Sequence, residues 1–492
     1  MDLINRLPPE APQLLIAGAL SPHAHDFIIH NPIIFGSNSE QDNFMDKFSE
    51  ATMQGAELDS SERDPPPRCH PGTRVELIER LRLWISDSQH RTKNILWLVG
   101  PAGVGKSAIM QTVAELESES DPSLVLAALF FSTLNRRDDP SKVITTLSYQ
   151  IALKHPPYHQ YLRSKLTADP KLWRKSIITQ FAEFIVDPFV RRRLYQDPGH
   201  ILIFIDGLDE CKGEREQILI LSLISYFGQR YPDAPFLWII ASRPEAHITE
   251  HLSRKRLKDT FEKVEVVIDS DQACQDVERF LRAEFETIRT SNVVMSLYPR
   301  WPPEGLFVKL AAAASGLFAY ATTAARFIGE PSSGDPISRF QLIITLIDKN
   351  CPPGGSFSNQ PMRQLDLLYR HILSQVSETD MFCMQEVLAS VILNGPETGV
   401  FHRMSAFCDW LGLAPNLLYG ALRQLHAVLN IPTPHHAHDR PIKVYHKSFS
   451  DFLLDSQRSG MVLGTPESEI NRNFSRALRI LRDVPYCELP VV

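Results

Sequence analysis

The sequence predicts an α/β fold, a parallel sheet flanked by helices, and three observations predict it. Five short apolar runs, at 95–99, 124–131, 201–205, 236–240 and 264–268, alternate with stretches of helical periodicity. The second run, 124–131, is continuously apolar, as suits a strand buried on both faces of a parallel sheet. The first run enters a glycine-rich turn, Gly100-Pro101-Ala102-Gly103-Val104-Gly105-Lys106-Ser107, and leaves it through Ala108 into a helical pattern. That spacing is G-x-x-x-x-G-K-S, a phosphate-binding loop. Glycines let backbone N–H groups curl around phosphate where a side chain would clash, and the helix N-terminus adds partial positive charge. Lys106 reaches the β- and γ-phosphates, and the Ser107 hydroxyl can ligate Mg²⁺. The fold expected is a P-loop NTPase, followed by an all-α lid domain and a winged-helix-like domain.

At 492 residues the chain exceeds one ordinary core. The expected units are an arm and linker at 1–66, partly disordered, a nucleotide-binding core at 67–269, a helical lid at 270–350, a winged-helix-like unit at 357–460 and a tail at 461–492. Hydrophobic content of 43% with 22% charged residues describes a soluble globular protein, and the net charge of −7 argues against nucleic acid as a partner. Seven scattered cysteines form no C-x-x-C pair, which fits a reducing cytoplasmic setting. No apolar run reaches the roughly 18 residues of a membrane span, and the patch at 14–20 lacks a basic leader.

In the arm, two apolar bursts flank Pro32 within 26–35, a piece expected to dock on the neighbouring domain. Residues 57–67, ELDSSERDPPP, read as a polar linker. CHPGTR at 69–74 then leads into a helix with Leu77, Leu81 and Trp84 on one stripe. Thr73 and Arg74, just upstream of the first strand, are placed either for an adenine pocket or for a helix that caps the domain. After the second run, a long helical region is expected over 141–190. Arg136 and Arg137, just before it, read as a solvated loop pair.

The third run ends in Asp206-Gly-Leu-Asp209-Glu210, a Walker B arrangement that delivers carboxylates to the ligand-binding edge of the sheet. Asp206 would hold Mg²⁺, while Asp209 and Glu210 could polarise an attacking water. The fourth run ends in Ser242-Arg243-Pro244. Its arginine is placed either to read a γ-phosphate or to pair with a surface acid. Asp269-Ser270-Asp271 caps a helix, and 272–330 reads as wholly helical. Hinge-like breaks at 329–336 and 351–356 follow. Over 360–457 a helix-turn-helix rhythm and a β-prone pair, with 443–446 on the second strand, give a winged-helix pattern. Its second helix carries one firm cation, Arg423, so regulation or packing fits better than DNA reading.

The combination of GPAGVGKS, ILIFIDGLDEC, FLWIIASRPE and VYHKSFSDFLLD resembles the NACHT nucleoside triphosphatases of the STAND signalling class, in their fungal, basidiomycete and NLR-like form, over roughly 65–460. The resemblance implies a cytoplasmic switch for innate-immunity-like signalling, closed with ADP and self-associating with ATP and Mg²⁺, slow in hydrolysis. It also implies that a winged-helix histidine touches the β-phosphate of ADP. His446 is the candidate here, against a core or hinge role. Relatives usually continue into WD, ankyrin or tetratricopeptide repeats, which this chain does not show. The alternative is a non-catalytic nucleotide-binding scaffold or truncated decoy paralogue. A processive motor of the AAA+ or helicase class is a more distant reading.

Overall fold

In the computed structural model, residues 42–483 are described, apart from 198, 255–256, 258, 332–334, 351–360 and 394–402. The expected docking piece at 26–35, the hinge at 351–356 and the tail beyond 483 lie outside them. The chain divides into two units, Met1–Phe44 and Met45–Val492. The elements below belong to the second, which α1 (Asp42–Glu50) enters. The expected boundaries near 269, 350 and 460 all fall inside that single unit.

The apolar runs become five parallel strands: β1 (Ile95–Val99), β2 (Leu126–Phe130), β3 (Ile201–Asp206), β4 (Phe236–Ser242) and β5 (Phe261–Glu265), in the order β2-β3-β4-β1-β5. Every residue of the first four is buried, which explains their unbroken apolar composition. Residues 201–205 of β3 expose 1% or less each, and burying such side chains stabilises the fold by about 1.5–3 kcal/mol apiece. β5 is an edge strand. Only Phe261 and Val264 of FEKVE are buried, and the apolar residues 266–268 lie beyond the strand, so the expected run at 264–268 was displaced from it by three residues.

Helices cover both faces. They are α2 (Val75–Ser86) and α3 (Lys106–Ser120), then α4 (Val143–Lys154), α5 (Pro156–Ala168), α6 (Ile177–Phe181), α7 (Glu214–Arg230) and α8 (Ala246–Ser253). The helical region expected over 141–190 is therefore broken. Pro156 and Pro157 start a new helix at its N1 and N2 positions, and Pro188 lies in a π-helical stretch, Ala182–Arg191. The lid follows as α9 (Asp271–Ser291), α10 (Glu304–Ala314), α11 (Phe318–Gly329) and α12 (Pro336–Asn350). Ser270 caps α9 by accepting from Ala273 N–H. Residues 298–303, which include Pro302 and Pro303, interrupt the expected helix there.

Next come α13 (Pro361–Ser374), α14 (Glu378–Leu393), α15 (Met404–Leu411) and α16 (Pro415–Leu422). Gly412, at φ +67°, turns α15 towards α16. An antiparallel ribbon of β6 (Leu429–Asn430) and β7 (Lys443–Val444) leads into α17 (Lys447–Leu454), followed by α18 (Ser456–Ser459) and α19 (Pro466–Asp483). His446 is not on the second strand as expected. It caps α17, where its side chain accepts from Ser448 N–H.

The stretch read as a linker is corrected as well. Phe48 and Ala56 are fully buried and Met53 and Arg63 nearly so. The Arg63 guanidinium lies 3.4 Å over the Phe130 ring, and Phe130 N–H donates to Ala56 O at 2.9 Å. Polar composition misled because a buried arginine with carbonyl and amide partners looks, in sequence, like a solvated one. Arg137 departs from its solvated reading in the same way: it is buried and donates to Gly55 O at 2.9 Å. Among the described residues, no helix is long and apolar enough to cross a membrane.

Candidate functional site

Register brings the site together. Val99 pairs with Ser242, and Phe130 with Asp206, so the segments leaving β1, β3 and β4 emerge side by side at one sheet edge. The loop Gly100–Gly105 runs straight from β1 into α3, with Lys106, Ser107 and Ala108 in the first turn. Gly103 and Gly105 sit at φ +79° and +91°, the left-handed region that other residues avoid. A methyl at Gly103 would lie 2.7 Å from Ala319 Cβ, so the lid itself requires glycine there. At Gly105 a methyl would meet nothing within 4 Å, which marks the open side of the cradle.

The carbonyls of Gly100 and Pro101 accept from Lys106 Nζ at 2.7 and 2.9 Å, while the Gly103 carbonyl accepts from Ala319 N–H at 3.1 Å. Burial lowers the Lys106 pKa, opposed by the nearby charges of Asp209 and Asp206. Val104 is fully buried, and its carbonyl accepts from Arg74 at 3.1 Å.

Asp206 is buried at the end of β3. The neighbouring Ser107 hydroxyl favours its charged form, and its Oδ1 finds no partner. Burial pushes its pKa up to about 6, against the pull of Ser107, Lys106 and Arg63. An orphaned carboxylate oxygen beside a hydroxyl is a hard-oxygen donor pair and fits Mg²⁺. Among the described residues no group of three His, Cys, Asp or Glu side chains gathers to hold a metal alone. Asp206 and Ser107 would therefore share the ion with phosphate oxygens and water.

The remaining acids are engaged. Asp209 Oδ1 accepts from Arg243 N–H at 3.0 Å, and its Oδ2 lies 3.3 Å from Arg243 Nε. Glu210 accepts from Thr133 N–H at 3.1 Å and stands 3.6 Å from Lys447 Nζ. Burial raises Glu210 to about 7, partly countered by Lys447. The other end of Arg243 donates to Asp451 Oδ2 at 2.7 Å. Arg243 thus bridges the segment after β3 to α17, and its partners are internal acids. His446 is half-buried; a methyl at Gly103 would stand 3.6 Å from its Cε1. Burial, then the charge of Arg243, lowers its pKa to about 4, and Nδ1 accepts from Ser448 N–H at 3.0 Å. A neutral ring with Nδ1 accepting carries its proton on Nε2.

Arg74 and Thr73 stand where the loop meets the lid. Arg74, at φ +56°, donates its N–H to Asp276 at 3.0 Å and lies 5.1 Å over the Phe318 ring. The Thr73 hydroxyl donates to His70 O at 2.7 Å, so its side chain serves the local turn. Sequence reasoning missed Lys447, Asp451, Thr133 and Arg63. For the first two a signal existed, since they sit at i and i+4 of one helix directly after His446. Nothing in the sequence marks Thr133 or Arg63.

A five-stranded parallel sheet, a glycine loop between β1 and α3, and an acid ending β3, one strand removed from β1 at the same sheet edge, define a P-loop NTPase fold. Within it, residues 72–243 match the family described as Nephrocystin 3, N-terminal. Two solved structures are similar. The Walker-type ATPase of Pyrococcus abyssi is 17% identical, with 78% of this chain and 97% of that one covered and a TM-score of 0.35. The Aeropyrum pernix ORC2 protein, in ADPNP–ADP complexes, is 11% identical, with 86% and 100% covered and a TM-score of 0.37. No curated protein matches the chain.

Proposed function

We propose that the chain is a Mg²⁺-dependent, ATP-binding switch of NACHT type, built to change its arrangement with the nucleotide rather than to turn over quickly. One observation carries this reading: a single helix N-terminus, α17, brings His446, Lys447 and Asp451 against Gly103, Glu210 and Arg243. A dedicated metabolic ATPase has no need for its presumptive base and γ-phosphate reader to be held by a distant segment of chain. Lys106 and the loop amides bind phosphate, and Asp206 with Ser107 holds the ion that neutralises it. Glu210, freed from Lys447, orients water, and Arg243, freed from Asp451, reads the γ-phosphate. His446 Nε2–H donates to the diphosphate in the closed form. ATP favours separation of α17, and the separated form self-associates.

Lys106→Ala is expected to weaken ATP binding at least tenfold, measured by titration calorimetry. Unchanged affinity would refute the assignment. A second reading, a nucleotide-binding scaffold without turnover, draws support from Asp209 and Glu210 both being engaged. Phosphate release by the wild type compared with Glu210→Gln separates the two. Release above background that the substitution abolishes favours the switch, and background release with nucleotide still bound favours the scaffold.

A further inference from the structure

Residues 51–64 are attached to four elements of the molecule. Met53 N–H donates to Thr146 Oγ1 on α4 at 2.8 Å, and Ala56 O accepts from Phe130 on the edge strand β2. Arg63 donates to Gln111 Oε1 on α3, the phosphate-loop helix, at 2.7 Å, while Gln111 donates back to Leu58 O at 3.1 Å. The fourth contact is of another kind. Glu62 O accepts from Lys443 Nζ at 2.9 Å, and Lys443 opens β7, three residues before His446 and four before Lys447.

The first three attachments belong to the sheet and to helices packed on it, which hold their place through the core. The fourth belongs to the ribbon that leads into α17. Any displacement that separates Lys447 from Glu210 carries Lys443 with it, because only three residues lie between the two lysines. We propose that residues 51–64 are a strap that works as a lever, reading the position of the β6–β7 ribbon through Lys443 and passing it to the chain N-terminal of the core. With the ribbon in place, Glu62 and Arg63 are held from both sides, one by β7 and one by α3. With the ribbon displaced, the Glu62 side is released while Arg63 stays stacked on Phe130, so 57–62 loosens first. The inference rests on the switch reading for the displacement, though not for the contact itself.

The test is hydrogen exchange on the full chain, followed in two windows, 53–64 and 443–451. With ADP both windows should be protected, and with a non-hydrolysable ATP analogue both should exchange faster. In the ADP form, Lys443→Met should speed exchange of 53–64 about tenfold, the worth of one hydrogen bond from a charged donor. ATP affinity and window 443–451 should be unchanged, and Lys443→Arg should keep the protection. A strap that ignores both nucleotide and Lys443→Met, while 443–451 still responds, overturns the lever and leaves the switch standing. If 443–451 is itself indifferent to nucleotide, the switch reading fails. Lys443→Met then decides the lever alone: a loosened strap supports it and an unchanged one overturns it.

Discussion

Glu210 shows how much of a residue's chemistry is set by where it is put. Burial raises it to about 7 and Asp206 to about 6, from ordinary values of 4.5 and 3.8. A carboxyl raised in the folded state contributes fully to stability below its unfolded pKa, and the contribution is lost as pH rises through the folded value. Glu210→Gln stays neutral throughout. The melting temperature of the variant minus that of the wild type should therefore grow between about pH 5 and about pH 8, in buffer free of nucleotide and metal. A flat difference would count against a buried, weakly compensated acid. His446 runs the other way. Its pKa falls from 6.5 to about 4, so its contribution is complete above 6.5 and lost as pH falls through 4. His446→Asn should flatten that acid limb in the same measurement.

At the scale of elements, α17 and the strap before the core matter most. The pair Arg243–Asp451 joins side chains that are 20% and 26% exposed, enough shielding to count for more than a surface pair. Asp451→Ala leaves Arg243 to Asp209 and loosens α17. If coupling of about 1 kcal/mol runs through this contact, phosphate release should rise about fivefold and ADP dissociate correspondingly faster. Rates equal to the wild type would show that α17 exerts no restraint. The strap makes a stability prediction. Arg63→Ala strips Gln111 and the carbonyls of Glu57 and Leu58 of a charged donor and removes the ring contact with Phe130. Chemical denaturation should register a loss of about 2–3 kcal/mol. A solvated linker would lose nothing measurable.

For the whole molecule, one hydrophobic cluster runs from the sheet through the lid to α17, taking in Leu98, Ala319, Tyr369 and Phe449. A continuous core means this arrangement is a packed state and not a loose juxtaposition. On the proposed switch, leaving it must be offset by nucleotide contacts and by whatever covers the newly exposed surface. Sizing the chain with ADP and then with a non-hydrolysable ATP analogue should show a larger species only with the latter. One mass under both conditions would remove self-association from the proposal.

The strands β1 to β4, the phosphate loop, and the positions of Lys106, Ser107 and Asp206 were legible in the sequence. Each depends on local pattern: an unbroken apolar run, a glycine at a left-handed turn, an acid directly after a strand. β5 was blurred because Glu262, Lys263 and Glu265 break its apolar pattern, while the apolar residues from Val266 lie beyond it. The strap, the buried Arg63 and Arg137, and the hold of α17 on Arg243 and Glu210 were decided by tertiary structure. Asp451 lies 208 residues from Arg243, and Glu62 381 from Lys443. A charge that pairs across such a distance looks in sequence like any solvated charge, because its partner is chosen by how the chain packs and not by its neighbours. The sequence by itself determined a strand, a glycine loop and a helix of phosphate-loop form. Only the packing of the last helices onto the sheet decided which groups of that site are held.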